Sequence, residues 1–244
     1  CFETTTGNFF TVRNGKIGLS GNSGKTLSAV YLAWRNYKKF QEENRRILEA
    51  AKQDPKILNY FEFKHVYSNI TLYGIPHYRL RTICELNWAK SGIVLLDELW
   101  AAGLDSRMSK RKKNIVTANI LGKSRKKGLT ILFTVQTISQ LDRRIREALD
   151  FIAYPILSPD NQICRLMIWR GNKPKGPPLQ VVRFFTEDIF KFYNTREEVE
   201  ELIDDTDEEG LGEKVPEFCY IPVEKNPAWQ EYLLAKKYGF KKII

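Results

Sequence analysis

A group of residue types that suits phosphate binding lies near the start of the chain, in the sequence GNSGKT at residues 21–26. To bind a triphosphate, backbone N–H groups must approach it closely, a cation must reach its β and γ oxygens, and a hydroxyl must hold Mg²⁺. The glycines, the lysine and the threonine of this sequence meet these three demands in that order. The predicted phosphate-binding residues are Gly21, Asn22, Ser23, Gly24, Lys25, Thr26 and Leu27.

A strand before this loop and a helix after it would hold the residues in position. Residues 16–20 are typical of a short strand and residues 27–34 of a buried helix, so the loop would lie at a helix N-terminus, where the helix dipole favours an anion. The first glycine of the usual pattern is replaced by Leu19, so only the second half of the pattern matches. A glycine turn before an ordinary helix is the alternative at this point.

A second group of candidate catalytic residues follows a run of apolar residues. The sequence IVLL at residues 93–96 predicts a strand that is buried on both faces, as in parallel sheets, and Asp97 and Glu98 follow it directly. Ligands of open α/β sheets bind at the carboxyl ends of the strands. Asp97 would therefore bind Mg²⁺, and Glu98 would activate the water that attacks the γ-phosphate. The alternative is that Asp97 only opens a loop or caps a helix.

A third strand of the same kind is predicted at residues 129–136 and ends at Gln136. Because parallel strands bring their carboxyl ends to one edge of a sheet, we expect Gln136 near Asp97 and Glu98. There it could sense the γ-phosphate or position the attacking water. The alternative is that Gln136 only begins the next loop, and the local sequence is equally consistent with that.

Charge is distributed unevenly along the chain, whose net charge is +10. Nine basic residues and no acid lie between residues 107 and 127, whereas residues 187–209 are rich in Glu and Asp. A basic run between candidate catalytic strands favours contact with a polyanion such as DNA, and a solvated basic face is the alternative. The candidate DNA contacts are Lys110, Arg111, Lys112 and Lys113.

The composition is that of an ordinary globular chain of 244 residues. No apolar run reaches the ~18 residues that a membrane-spanning helix needs, and the four cysteines are scattered without the spacing of a metal site or a disulfide framework. We therefore expect a cytoplasmic protein, in the host cell if the protein is viral, that reaches a virion or a membrane only through a partner. The chain begins at Cys1 rather than Met, which leaves room for residues upstream.

We predict a single domain over residues 1–244. Residues 1–15 would form an N-terminal strand or hairpin, residues 16–160 the core, and residues 161–244 edge strands and C-terminal helices. Asn14 and Gly15 between two apolar segments predict a tight hairpin. Residues 163–169 and 179–185 predict an antiparallel hairpin at the edge of the sheet. A helix is predicted to begin at Thr195, and another to cover residues 229–238.

The order of these motifs resembles that of the FtsK/HerA superfamily of ring-forming DNA motors. The resemblance rests on GNSGKT at 21–26, LLDE at 95–98, SRKKGLTILFTVQ at 124–136 and DRRIRE at 142–147, and it covers residues 15–160. Two branches are close. VYSNITL at 66–72 is similar to the zonula occludens toxin-like and filamentous-phage assembly ATPases, and FYNTRE at 192–197 to the DNA-packaging ATPases of archaeal and other membrane-containing viruses.

This resemblance implies an α/β, RecA-like P-loop NTPase fold with a mostly parallel central sheet flanked by helices. In such a sheet the strand that ends at Gln136 separates the strand that ends at Asp97 from the strand before the loop. The resemblance also implies ATP and Mg²⁺ as cofactors. Lys25 and Thr26 would then bind phosphate and metal, while Asp97 would bind the metal. It further implies that Glu98 activates water.

The same resemblance implies that Gln136 is a sensor and that the protein forms a hexameric ring. In such a ring one subunit gives an arginine to the nucleotide of its neighbour. Arg125 holds the place of this arginine, and Arg143 and Arg144 are the alternatives.

Three functions remain open at this stage. The leading one is an ATP-hydrolysing translocase of double-stranded DNA, most simply a viral genome-packaging motor. The second is a toxin-like ATPase for virion assembly or secretion that does not grip DNA. The third is a nucleotide-gated scaffold that does not hydrolyse ATP.

Overall fold

The computed structural model describes residues 2–3, 9–13, 16–20, 24–98, 122–136, 138, 141, 143–171, 173–197, 199, 202 and 214–237, and for those up to residue 20 it describes the backbone only. Strands and helices are numbered in chain order within these ranges. The strands are β1 (Phe2–Glu3), β2 (Phe9–Arg13), β3 (Lys16–Ser20), β4 (His65–Ser68), β5 (His77–Arg79), β6 (Gly92–Leu96), β7 (Leu129–Phe133), β8 (Phe151–Leu157), β9 (Ile163–Arg170), β10 (Gln180–Phe185) and β11 (Glu217–Cys219). The α-helices are α1 (Lys25–Gln53), α2 (Ile83–Trp88), α3 (Arg143–Glu147), α4 (Glu187–Phe190) and α5 (Pro227–Lys237), and short 3₁₀ helices lie at Pro55–Asn59, Ser124–Lys127 and Val223–Lys225.

A mainly parallel five-stranded sheet has the order β11-β5-β4-β6-β7, in which only β11 runs antiparallel to its neighbour. The predicted buried strand is β6, whose residues 93–96 are fully buried. Ile93 and Leu95 pack in one hydrophobic cluster with α1, and Val94 and Leu96 pack in a second cluster on the other face. Because both faces of β6 are covered, a continuous apolar run is the sequence that this strand requires. The fold is therefore the predicted α/β arrangement.

Helix α1 has 29 residues and is one continuous helix through the charged stretch after residue 42. Its first half is buried through residues such as Val30 and Ala33. Its second half is exposed, and there Arg45 and Arg46 form ion pairs with Glu42 one turn away. Such pairs stabilise an exposed helical segment modestly, which explains why the helix continues beyond the part that the core covers.

The strand before the loop, β3, forms a hairpin with β2. The two strands pair antiparallel with Arg13 opposite Lys16, so the predicted hairpin is confirmed. The pairing of β6 with β7 also agrees with the implied strand order. For β3 the order differs, because within the described ranges β3 pairs with β2 in a separate three-stranded sheet and β7 is the last strand of the central sheet.

The predicted hairpin of β9 and β10 is confirmed, and β8 extends it to a separate antiparallel sheet with the order β10-β9-β8. One face of this sheet packs on α1, where the rings of Tyr31 and Phe184 stack with centroids 4.0 Å apart. The strand β8 was not predicted, and it contains Pro155. Proline is tolerated there because β8 is an edge strand of the sheet.

The predicted C-terminal helix is confirmed as α5, and the helix predicted from Thr195 is wrong where the structure describes it. Residues 195–196 form a turn and Glu197 has no helical structure. In the ranges that the structure describes, no helix combines the length and the apolar composition that crossing a bilayer requires. The division into segments 1–15, 16–160 and 161–244 of one domain stays a prediction.

Candidate active site

The two groups of candidate catalytic residues meet at the carboxyl end of β6. Asp97 follows β6 directly, and Lys25 and Thr26 form the first turn of α1. The hydroxyl Oγ1 of Thr26 donates to the carboxylate of Asp97, at 3.0 Å from Oδ1 and 2.9 Å from Oδ2. The fold thus joins two residues that are 71 positions apart in the sequence.

A glycine is required where the loop enters α1. Gly24 has φ of 73°, in the left-handed region that other residues avoid. A Cβ at this position would lie 3.3 Å from the side chain of Leu157, which is a tight contact. The carbonyl of Gly24 accepts the first helical hydrogen bond, from the N–H of Ser28 at 2.9 Å. The other predicted loop residues, Gly21, Asn22 and Ser23, lie outside the described residues.

Asp97 is held by side chains that follow the two strands neighbouring β6, and it is only 4% exposed. Thr134 Oγ1 donates to Asp97 Oδ1 at 2.6 Å. The backbone N–H of Asp97 donates to Asn69 Oδ1 at 2.7 Å, and Asn69 Nδ2 donates to the Asp97 carbonyl at 2.9 Å. Neither Thr134 nor Asn69 was predicted. The signal that could have found them is their position directly after β7 and β4, at the edge where Asp97 lies.

Burial shifts the pKa values of two charged residues of this site, Asp97 and Lys25. Desolvation raises the pKa of the Asp97 carboxyl, against the hydrogen bonds from Thr134 and Thr26 and the charge of Lys25, which lower it. Desolvation likewise lowers the pKa of Lys25, against the attraction of Asp97 and Glu98. A cation at Asp97 and an anion at Lys25 would each favour the charged form of its neighbour. The site therefore has the electrostatics to bind a metal–phosphate pair.

Glu98 has an unusual backbone and a partly buried side chain. Its φ is 48°, in the left-handed region, which costs a non-glycine residue about 1–2 kcal/mol. Its N–H donates to Thr134 Oγ1 at 2.9 Å, which helps to fix this conformation. Burial, and secondly the charge of Asp97, raise the pKa of the Glu98 carboxyl above its usual value. A raised pKa suits a carboxylate that accepts a proton from water.

The distance between the Thr26 and Asp97 oxygens suits two neighbouring ligands of Mg²⁺. Mg²⁺ binds oxygen ligands at about 2.0–2.1 Å in octahedral geometry, so two adjacent ligands lie about 2.9 Å apart. The Thr26 and Asp97 oxygens are 2.9–3.0 Å apart. These two residues would hold the ion, directly or through water, and the ion would neutralise charge on the phosphates.

Beside these residues lies a cleft of about 580 Å³, which is within the usual size range of small-molecule sites. Part of its wall comes from a segment that was not predicted as a site. The residues that line the cleft include Gly24, Lys25, Thr26, Leu27, Asp97, Glu98, Tyr193, Asn194, Thr195, Arg196 and Glu197.

This wall joins two motifs that sequence analysis had related to different branches of one superfamily. Glu197 accepts hydrogen bonds from the N–H and the hydroxyl of Thr71, both at 3.0 Å, and forms an ion pair with Arg79 at 3.1 Å. Asn226 holds the same wall from the other side, because its Nδ2 donates to the carbonyl of Tyr193 at 2.9 Å. VYSNITL and FYNTRE are therefore neighbouring parts of one cleft.

The remaining candidate residues are placed less centrally or lie outside the described residues. Gln136 is exposed three residues after the end of β7, is not among the residues that line the cleft, and stays a predicted sensor. Arg125 lies in the 3₁₀ helix just before β7, with only its backbone described. Arg143 is exposed and pairs with Glu147 at 2.7 Å, and Arg144 is exposed beside it. The candidate DNA contacts lie outside the described residues: Lys110, Arg111, Lys112 and Lys113.

A lysine and a threonine at a helix start, facing a strand-end aspartate, place the chain among P-loop nucleotide-binding proteins. Residues 12–154 match the model of the family described as Zonular occludens toxin (Zot). This match covers more than half of the chain, which therefore belongs to that family of P-loop ATPases.

Comparison with individual proteins gives one distant structural neighbour. No curated protein matches the chain. Among solved structures, the crystal structure of the N-terminal domain of zonular occludens toxin from Neisseria meningitidis is 17% identical in sequence. That comparison covers 72% of this chain and 95% of the other, with a TM-score of 0.45.

Replacing Thr134 by valine tests the support of Asp97. We expect the Mg²⁺ concentration that half-saturates ATP hydrolysis to rise about 10- to 100-fold, because valine cannot orient the metal ligand. The protein should also lose about 1–3 kcal/mol of unfolding free energy, since buried polar groups lose their partner. The matched control is Thr130→Val, an exposed threonine on β7, the strand that Thr134 follows. Equal Mg²⁺ dependence of the two variants would contradict this role.

Proposed function

We propose that this protein hydrolyses ATP with Mg²⁺ as cofactor. The observation that carries the proposal is the direct contact of Thr26 with the buried Asp97. Lys25 lines the same cleft and supplies the cation for the β- and γ-phosphates. Glu98, also in the cleft, accepts the proton of the attacking water, and its raised pKa favours that transfer.

We propose further that hydrolysis drives the movement of DNA during the assembly of a virus particle. Two features support this cargo: the resemblance to ring-forming DNA motors and the run of nine basic residues between 107 and 127. The working unit is then a ring of identical subunits, taken as a hexamer, in which Arg125 of one subunit contacts the nucleotide bound to the next subunit. The ring acts in the cytoplasm of the host cell and meets the virion or the membrane through a partner.

One observation favours a second candidate function. The family match over residues 12–154 is to the zonular occludens toxin family, the branch in which we expected an assembly or secretion ATPase. In that case ATP hydrolysis drives export of the particle, and the protein does not grip DNA. A nucleotide-gated scaffold without hydrolysis is the third candidate.

DNA-stimulated turnover separates these functions. ATP hydrolysis is measured without DNA, with double-stranded DNA and with single-stranded DNA, each at about 50 and 200 mM salt. For a translocase we expect DNA to raise turnover, and the apparent DNA affinity to fall steeply with salt because phosphate contacts release counterions. Turnover that DNA does not change at either salt concentration rejects the translocase and leaves the assembly ATPase. Absence of turnover under all conditions leaves the scaffold.

A further inference from the structure

One face of the β8–β9–β10 sheet is largely exposed in the part of the chain that is described, with Ile152 buried at one end of it. Its inner face packs on α1 through Cys164, Leu166, Val182 and Phe184. Its outer face is formed by the alternate residues, and several large apolar side chains lie exposed there. They are Phe185 (62% exposed), Ile156 (48%), Val181 (44%), Tyr154 (40%) and Ile163 (40%).

The outer face carries aromatic rings in a fixed arrangement. Tyr154 and Trp169 meet edge to face, with ring centroids 5.8 Å apart and an interplanar angle of 83°. Trp169 is oriented by a hydrogen bond from Nε1 to the carbonyl of Gly176 at 3.0 Å. Phe185 lies near the opposite end of the face, where it pairs with Ile163. Rigid exposed rings of this kind are the platforms on which unpaired bases stack.

Two arginines add positive charge to the same face. Arg165 and Arg183 are directly opposite each other on β9 and β10, and both are exposed. Within the described ranges neither side chain forms an ion pair or a hydrogen bond. Like charges directly opposite each other destabilise a sheet, so this pair costs the free protein stability that an anion would restore.

A cavity of about 450 Å³ continues the face beyond Tyr154. It is lined by Tyr154 together with Arg143, Arg146 and Lys173, and its one acid among the described residues, Glu147, pairs with Arg143. The Nε of Arg146 is buried and has no hydrogen-bond partner in the described part of the chain. A buried donor without a partner is costly. Arg146 and Lys173 also give the cavity positive charge, which favours a phosphate there.

We propose that this outer face, together with the cavity, binds single-stranded DNA, with bases stacked on Tyr154 and Phe185 and phosphates at Arg165, Arg183 and Arg146. A second copy of the chain docked symmetrically on this face would bring arginine pairs against arginine pairs, which is unfavourable. A duplex presents phosphates but keeps the flat faces of its bases stacked inside. Only an unpaired strand offers both the base faces and the phosphates, which is why the sheet favours it over the double-stranded cargo expected from the sequence.

The identification of the bound nucleic acid as DNA rests on the proposed function. The experiment measures binding alone and needs no ATP. A fluorescent oligo(dT) of about 16 nucleotides, the upper site size of one small binding module, is titrated with the full chain in EDTA and without nucleotide. We expect Phe185→Ala and Tyr154→Ala each to raise Kd about 5- to 100-fold. We expect the pair Arg165→Gln and Arg183→Gln to reduce the slope of log K against log salt by about 1.4, which is about 0.7 for each arginine that no longer binds a phosphate.

Matched controls come from exposed residues elsewhere on the molecule. Tyr60→Ala removes a ring that is 82% exposed, and Arg46→Gln removes an exposed arginine on α1. Both control proteins should bind oligo(dT) like the wild type, and thermal unfolding checks that each variant is folded. The proposal is overturned if the face variants bind like the wild type, or if duplex DNA of the same length binds equally well and is equally weakened by Phe185→Ala.

A failure of the proposed DNA-binding surface can be distinguished from a failure of the proposed ATPase function. If oligo(dT) binding depends on Phe185 but ATP turnover is absent, the surface assignment stands and the ATPase proposal fails. If DNA stimulates turnover while the face variants bind oligo(dT) normally, the motor stands and the surface assignment fails.

Discussion

Replacing Glu98 by glutamine should lower ATP turnover about 10²- to 10⁴-fold, the usual contribution of a general base. Glutamine keeps the size of the side chain and its capacity for hydrogen bonds but cannot accept a proton from water. Nucleotide binding should persist, because Lys25 and Thr26 are unchanged and the loss of a negative charge near the phosphates favours the anion. Glu98→Gln should therefore trap ATP.

The measurement pairs steady-state turnover with the affinity for a fluorescent ATP analogue. Glu62→Gln is the matched control, since Glu62 is exposed and lies outside the cleft. Turnover of Glu98→Gln near that of the control, in an active wild-type enzyme, would remove Glu98 from the reaction. If the wild type itself hydrolyses ATP negligibly and Glu98→Gln changes nothing, the scaffold function is the one supported.

Replacing Arg125 by alanine should lower turnover about 10³- to 10⁵-fold if this residue acts on the neighbouring subunit's nucleotide. The reason is electrostatic, because the guanidinium neutralises charge that develops on the transferred phosphoryl group. Lys126→Ala is the matched control, as Lys126 is the next residue and is exposed. A rate for Arg125→Ala close to that of Lys126→Ala would exclude Arg125 and direct the same test to Arg143 and Arg144.

Mixing inactive subunits shows whether the arginine acts between subunits. Arg125→Ala keeps its own Lys25, and Lys25→Ala keeps the arginine that a neighbour needs. In an equal mixture, about one quarter of the head-to-tail interfaces combine an intact lysine with an intact arginine. We expect about a quarter of the wild-type rate from the mixture and almost none from either protein alone. No recovery on mixing, although the subunits assemble, would contradict a role in trans.

The parts of this fold that could be predicted are those that one stretch of sequence specifies alone. The run Ile93–Leu96 favours a strand covered on both faces, and the acids that follow it then lie at the strand end. The GNSGKT sequence likewise contains its own turn, cation and hydroxyl. Because ligand sites of parallel sheets lie at strand ends, these local patterns were sufficient to bring Thr26 and Asp97 together.

What could not be predicted depends on partners that are distant in sequence. Thr134 resembles any strand threonine until β7 places it 2.6 Å from Asp97. The acids after Thr195 have the pattern of a helix start, but Glu197 binds Thr71 and Arg79 instead, and this tertiary contact overrides the local preference. The strand β8 contains Pro155, which fits a strand at a sheet edge, and which strand lies at an edge is decided by the sheet as a whole.

Helix α1 also has a mechanical consequence. Its 29 residues make a rod about 43 Å long that begins at Lys25, in the candidate active site, and ends far from it at Gln53. A tilt of about 5° around the Lys25 end would displace the Gln53 end by about 4 Å, more than two helical rises. In the ring proposed above, such a helix would act as a lever arm, because a small rotation at the nucleotide site would move its far end by several ångströms.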